Sequence, residues 1–113
     1  MVWHRAKDLA VYVYKITGQG AFAKDFGLRD QIRRSSVSIP SNIAEGKERE
    51  TVKELVRYLY ISKGSAAELK TQLLIAHKVG YVNAQTYTYF SERILKVSKM
   101  LGSFIGKLKS KSE

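Results

Sequence analysis

Apolar side chains recur every three, four or seven residues in four successive stretches of this chain, and no stretch of any length alternates every second residue. That spacing collects them on one face of a 3.6-residue turn, so the chain reads as all-α. The first segment spans about residues 3–17, with Trp3, Ala6, Leu9, Ala10, Val13 and Ile16 on its face and Gly18 and Gly20 at its end. A short loop, Gln19 to Phe26, leads to the second segment, about 28–48, whose stripe is Leu28, Ile32, Ser35, Ile39, Ile43 and Gly46. The third, about 52–79, opens on Thr51 with Glu54 three residues later, a capping-box spacing. It carries Leu55, Leu59, Ser62, Ala66, Leu69, Leu73 and Ala76 and stops at Gly80. The fourth, about 83–109, takes Asn83 as its N-cap and places Tyr87, Phe90, Ile94, Val97, Leu101, Phe104 and Leu108 at alternating steps of three and four.

Length makes this one domain: 113 residues bury a single core and are too few for two. Four helices joined by short connections predict an antiparallel, up-down-up-down four-helix bundle. Pro40 lies inside the second segment, where it removes a backbone hydrogen bond, and a kink or break is expected between Ser36 and Pro40. Two segments also carry more apolar surface than one stripe accounts for. Val37, Pro40 and Ala44 fall opposite the second segment's stripe, and Tyr60, Ile61, Ala67, Leu74 and Ile75 project away from that of the third. These residues predict a homo-oligomer that buries them; the competing reading has the first and fourth helices covering a wider arc of the middle two.

Absent motifs exclude several chemistries. With no cysteine, thiol catalysis, disulfides and thiolate metal sites are ruled out. A di-iron bundle needs Glu-x-x-His pairs, and neither His4 nor His77 has a glutamate three residues before it. His77 reads as a favourable charge at a helix C-terminus or a surface residue. Gly18-Gln19-Gly20 lacks the third glycine of a dinucleotide fingerprint, and no Gly-Lys-Ser/Thr phosphate loop occurs. No metal or cofactor is expected, and the chain is read as a non-enzyme. No apolar run approaches a bilayer span, and Trp3, His4, Arg5, Lys7 and Asp8 stand where a signal peptide needs apolar residues, so a cytoplasmic protein without membrane contact is expected. Apolar residues at 44% are enough for a packed core despite the charge, which sets intrinsic disorder aside.

The positive signal is basic charge: twenty Lys and Arg against ten Asp and Glu leave a net +10. Such an excess calls for a polyanion. It clusters at Arg29, Arg33 and Arg34 on the second segment, at Lys47, Arg49, Lys53 and Arg57 around the next turn, and from Arg93 onward, where six basic residues meet one acid. The reading is backbone-directed binding of RNA or DNA with weak sequence specificity, through Arg29, Arg33, Arg34, Lys107, Lys109 and Lys111 with Lys99 and Arg49 in support. Against it stands a solvated helix surface with local pairs, Asp25 with Arg29, Asp30 with Arg33 or Arg34, Glu45 with Arg49 and Glu54 with Arg57. A second hypothesis is an interaction scaffold whose basic face meets an acidic protein. Tyrosines 12, 14, 58, 60, 87 and 89 offer stacking platforms for unpaired bases or, more simply, core and interface aromatics. Asn42 and Glu45, near the core side of the second segment, are expected to bond the chain around the proline or a neighbouring helix, and Gly46 and Gly64 to permit close helix approach.

The stretch from Gly27 to Gly46, GLRDQIRRSSVSIPSNIAEG, closely resembles the signature of four-helix-bundle proteins encoded in intervening sequences of bacterial 23S rRNA genes, sometimes called S23 ribosomal proteins. Similar residues continue through Tyr58 to Leu69, Thr71 to Leu73 and Gly80-Tyr81. Departures are Ala23, where a proline is common, Ser35-Ser36 in place of alanines, and Lys47-Glu48-Arg49 after the Glu-Gly. The resemblance implies a homopentameric ring with a basic surface and a role in nucleic-acid binding. A related branch looks like the accessory variability protein of diversity-generating retroelements, which implies a reverse transcriptase and its template RNA as alternative partners.

Overall fold

The computed structural model describes residues 1–112. Five helices follow one another: α1 (Val2–Thr17), α2 (Gly20–Lys24), α3 (Phe26–Lys47), α4 (Val52–Lys78) and α5 (Ala84–Ser112), with no strand among the described residues. Short polar side chains fix where three of them begin. Asp25 Oδ1 accepts the Leu28 N–H at 3.1 Å, Thr51 Oγ1 that of Glu54 at 3.1 Å, and Asn83 Oδ1 that of Thr86 at 2.7 Å, each satisfying a donor that has no partner within its helix. The Glu54 carboxylate turns forward to Arg57, at 3.3 Å.

The expected loop at 19–26 contains the short helix α2. Its role is packing: Phe22 is buried, with its ring 5.2 Å from that of Tyr81. The Tyr81 hydroxyl donates to Asp25 Oδ2 at 2.9 Å, so the turn after α4 is tied to the α2–α3 junction. That bond, with desolvation and the charge of Asp25 adding to it, raises the Tyr81 phenol above its usual range. Gly80, at φ 89°, supplies the left-handed residue this turn requires.

Side-chain contacts show which helix ends meet. The start of α3 lies at the end of α1 (Arg33 on Thr17), and its own end lies at the start of α1 (Lys47 beside Val2). Gly46 meets Tyr58 and Ser38 meets Ser65 along α3 and α4, while His77 stacks on Tyr87 and Lys63 reaches Gly102 along α4 and α5. Tyr12 meets Tyr89 between α1 and α5. The stripes read from the sequence converge on one core, in which Val13, Ile32, Ile39, Ile43, Leu59, Leu69 and Leu101 are fully enclosed. Ile105, outside the predicted seam of the fourth segment, is buried with them.

Of the kink or break expected at Pro40, the break does not occur: helix α3 continues through the proline. A proline supplies no N–H to the carbonyl one turn back, and polar side chains gather around this place. Ser62 Oγ donates to the Ile39 carbonyl at 2.9 Å, the Asn42 amide to the Ser38 carbonyl at 2.8 Å, and the Ser38 and Ser65 hydroxyls lie 2.9 Å apart. Nor does Pro40 face solvent with Val37 and Ala44: it is buried in the seam beneath α1, beside Ala10 and Tyr14, because residue 40 sits on the flank of the Ile39/Ile43 stripe that α1 covers. Glu45 is exposed and pairs with Arg49 at 2.6 Å instead of bonding the chain at the proline. At Gly46 an added Cβ would stand 2.8 Å from Tyr58 Cβ, so only glycine lets α3 close on α4 there; Gly64 has open space around it within this chain. Among the described residues no helix is long and apolar enough to cross a membrane.

Candidate nucleic-acid interface

The basic residues singled out in the sequence fall into two groups at opposite ends of a molecule 49 Å long and about 20 Å thick. At one end α1 begins, α3 turns into α4 and α5 finishes. Lys47 and Lys107 line the same depression there, with Val2, Met100 and Phe104 beneath them. Arg49 and Arg57 share the ring of Tyr58, their guanidinium carbons 5.0 and 4.7 Å from its centroid, and Lys109 reaches over Tyr60 at 5.8 Å. Both arginines are paired in water, Arg49 with Glu45 and Arg57 with Glu54, and the Glu54 hydrogen bond raises the Arg57 guanidinium further above a range in which it is already charged. Exposed pairs of this kind add little to stability, and each carboxylate offsets the charge of its arginine. Lys47, Lys53, Lys107 and Lys111 form no ion pair among the described residues. They carry the uncompensated charge of this end. Lys99 lies eight residues before Lys107 on α5, about 12 Å along the helix, and borders a shallow groove with Leu95 and Met100.

At the other end the arginines hold the fold together. Arg33 lies over the ring of Tyr14 with its guanidinium carbon 4.4 Å from the centroid, donates through Nε to Thr17 Oγ1 at 2.8 Å and through Nη2 to the Tyr14 carbonyl at 3.3 Å. Thr17 in turn donates to the Val13 carbonyl at 2.7 Å. The guanidinium therefore satisfies a carbonyl of the last turn of α1, where a cation is favoured. Arg29 does the same for α2, donating to the Ala23 carbonyl at 3.1 Å while pairing with Asp30 at 3.0 Å. Of the three, Arg34 alone is exposed. Arg33 and Lys47 are fourteen residues apart on one helix, about 21 Å, and the structure does not bring the two groups onto one surface of a single chain.

Between the ends, the seam of α1 and α5 opens into a groove of about 400 Å³ that sequence reasoning missed. Arg5, Asp8 and Tyr12 border it from α1; Tyr89, Glu92, Arg93 and Lys96 border it from α5. Tyr12 and Tyr89 meet edge to face, 5.9 Å apart at 89°. Arg93 lies over the ring of Tyr89, its guanidinium carbon 3.4 Å from the centroid, and donates to the Tyr89 carbonyl. The available signal was the four-residue step from Tyr89 to Arg93, repeated nearly in Tyr12 and Lys15. Across the molecule Tyr12, Tyr14, Tyr58, Tyr60 and Tyr89 each have a cation over the ring, and Tyr87 stacks on His77 at 5.0 Å. The His77 Nδ1 lies 3.0 Å from the Val82 carbonyl, so this histidine spans the turn between α4 and α5.

The chain is similar to a crystallised protein of unknown function from the S23 ribosomal protein family of Bacteroides thetaiotaomicron, 25% identical, with a TM-score of 0.86 over 93% of this chain and 98% of that one. No curated protein matches. Residues 1–103, which include α1 to α4 and most of α5, match the family described as 23S rRNA-intervening sequence protein. With both the signature of its second long helix and its whole helical arrangement accounted for, the chain belongs to the 23S rRNA-intervening sequence protein family.

Proposed function

We propose that this is a non-enzymatic nucleic-acid-binding protein that contacts phosphate backbones through the end formed by Lys47, Lys53, Lys107 and Lys111, supported by Lys109 and Lys99. The observation that carries this reading is the convergence of three chain segments there with lysines that have no carboxylate partner among the described residues. Arg49 contributes through its second face, and Arg34 forms a smaller outpost at the far end. The contacting helix ends described above support an up-down-up-down four-helix unit. Copies of that unit assemble through the exposed apolar residues of α1 and α3 (Val11, Tyr14, Val37, with Ala44 beside them) and of α4 (Tyr60, Ile61, Ala67, Leu74, Ile75). Assembly into the ring of five that the family resemblance implies multiplies the excess charge fivefold on one particle and turns separate lysine ends into a continuous band.

The test is a salt series with labelled structured RNA, single-stranded RNA and duplex DNA. Binding is expected to all three, falling linearly in log K against log salt. Lys47→Glu with Lys107→Glu should abolish it while the far-end variant Arg34→Glu reduces it modestly. If the double variant binds as the unaltered protein does, the phosphate-binding end is wrong; if the unaltered protein binds none of the three at low salt, the basic end belongs to an acidic protein partner instead.

A further inference from the structure

Phosphate contacts explain affinity without explaining the groove in the seam of α1 and α5, which differs chemically from both basic ends. It joins two perpendicular aromatic rings, cations and two carboxylates, Asp8 and Glu92, on one surface. Glu92 has no ion-pair partner among the described residues, and Asp8 has only the exposed Lys7 at 3.3 Å. A surface meant solely for phosphate gains nothing from carboxylates, which repel it. An unpaired nucleotide, by contrast, presents all three complements: a π-face for an aromatic ring, a phosphate for cations, and amino or imino N–H groups that a carboxylate accepts. The seam also continues past the tyrosine pair into a second depression of about 360 Å³ bordered by Gln85 and Thr86, so a strand has a path on either side of the rings.

We propose that this seam is a subsite for a single-stranded nucleic acid bearing an amino-substituted base. The base lies against Tyr12 in the corner closed by Tyr89, its exocyclic amino group donates to Glu92 or Asp8, and Arg5 and Lys96 hold the flanking phosphates. Arg93, already over the ring of Tyr89, keeps that ring in place. Cytosine and adenine offer such an amino group; uracil offers a single imino N–H between two carbonyls, which face the carboxylates unfavourably. The inference rests on the nucleic-acid reading above and adds to it a preference for unpaired strands and a discrimination among bases.

The experiment compares oligo(rC), oligo(rA), oligo(rU) and a duplex DNA of equal length by fluorescence anisotropy at one fixed salt concentration. The unaltered protein is expected to bind oligo(rC) and oligo(rA) several-fold more tightly than oligo(rU). Tyr12→Ala, at a side chain 41% exposed and outside the core, should weaken single-strand binding roughly tenfold, the size of one lost stack, and leave duplex binding unchanged. Tyr12→Phe keeps the ring and should restore it. Glu92→Gln, which both donates and accepts, should level the difference between C and U. Duplex binding with no effect of Tyr12→Ala on single strands, or equal affinity for C and U, overturns the subsite and spares the phosphate-binding end. Absence of binding to every probe overturns the nucleic-acid reading itself.

Discussion

Two residues show how small groups hold this fold, and each makes a prediction. Gly46 is a point of close approach between α3 and α4, where a Cβ would stand 2.8 Å from Tyr58 Cβ and 3.1 Å from Leu55 Cδ1. Alanine there gains up to about 1 kcal/mol of helix propensity and must push apart two helices, at about 1–3 kcal/mol. Gly46→Ala is therefore expected to lower the midpoint of thermal unfolding, and a raised midpoint would show that the helices part without cost. Tyr81 concerns pH. Its phenol pKa is raised in the folded chain, chiefly by the hydrogen bond to Asp25, so the native state holds this proton more tightly than the unfolded chain does. The resulting stability is complete below the unfolded value of 10.0 and is lost as pH climbs through the higher folded value. Denaturant unfolding followed above pH 10 should show stability falling with pH, and Tyr81→Phe should flatten that part of the slope. Phe22 and Tyr81 were the residues least legible beforehand, because a lone aromatic in a five-residue helix or in the turn after α4 has no periodicity to announce it.

At the scale of elements, the stripes were readable because burial follows spacing: Ala6, Leu9 and Val13, or Leu59, Ala66, Leu69 and Leu73, land in the core in the register their 3.6-residue period requires. The candidate site was only half readable. Sequence spacing tells that Arg33 lies off the apolar stripe, yet whether it meets solvent or the last turn of α1 depends on which helix is its neighbour. Arg33 and Lys107 therefore separate cleanly by experiment. Arg33→Ala should cost about 1–2 kcal/mol of stability through two lost hydrogen bonds, one of them exposed, and a lost cation–π contact, with the salt slope of nucleic-acid binding unchanged. Lys107→Ala should leave unfolding unchanged and reduce the magnitude of that slope by about 0.7–0.9, one released counterion. Urea unfolding and the salt series on both variants decide it; a reversed pattern would place the phosphate contact at the start of α3, beside the end of α1. Pro40 teaches the same lesson, since its burial under α1 is a property of the packed pair of helices and not of α3 alone.

For the whole molecule, the proposed assembly raises the question of how copies would meet. The apolar surface of α1 and α3, centred on Val11, Tyr14 and Val37, and that of α4, centred on Ile61 and Ile75, lie on different helices and are not copies of one another. Two unlike patches that fit each other make a head-to-tail contact, which forms a ring when its rotation closes and a filament when it does not, whereas a patch that fits itself makes a two-fold dimer. The two geometries respond differently to charge placed in one patch. Val37→Glu disables the α1–α3 surface and leaves α4 intact; Ile75→Glu does the reverse. In a head-to-tail ring each variant alone is a monomer by sedimentation, and the mixture of the two forms a heterodimer, because one intact surface of each kind remains and chain growth stops after a single contact. In a two-fold arrangement the variant with the unused surface altered stays a homodimer, and mixing changes nothing. The heterodimer also bears on function. It brings together just two lysine ends, so its affinity for a long RNA should fall well below that of the ring while its affinity for a short oligonucleotide stays close to it, the signature of many weak phosphate contacts acting on one strand.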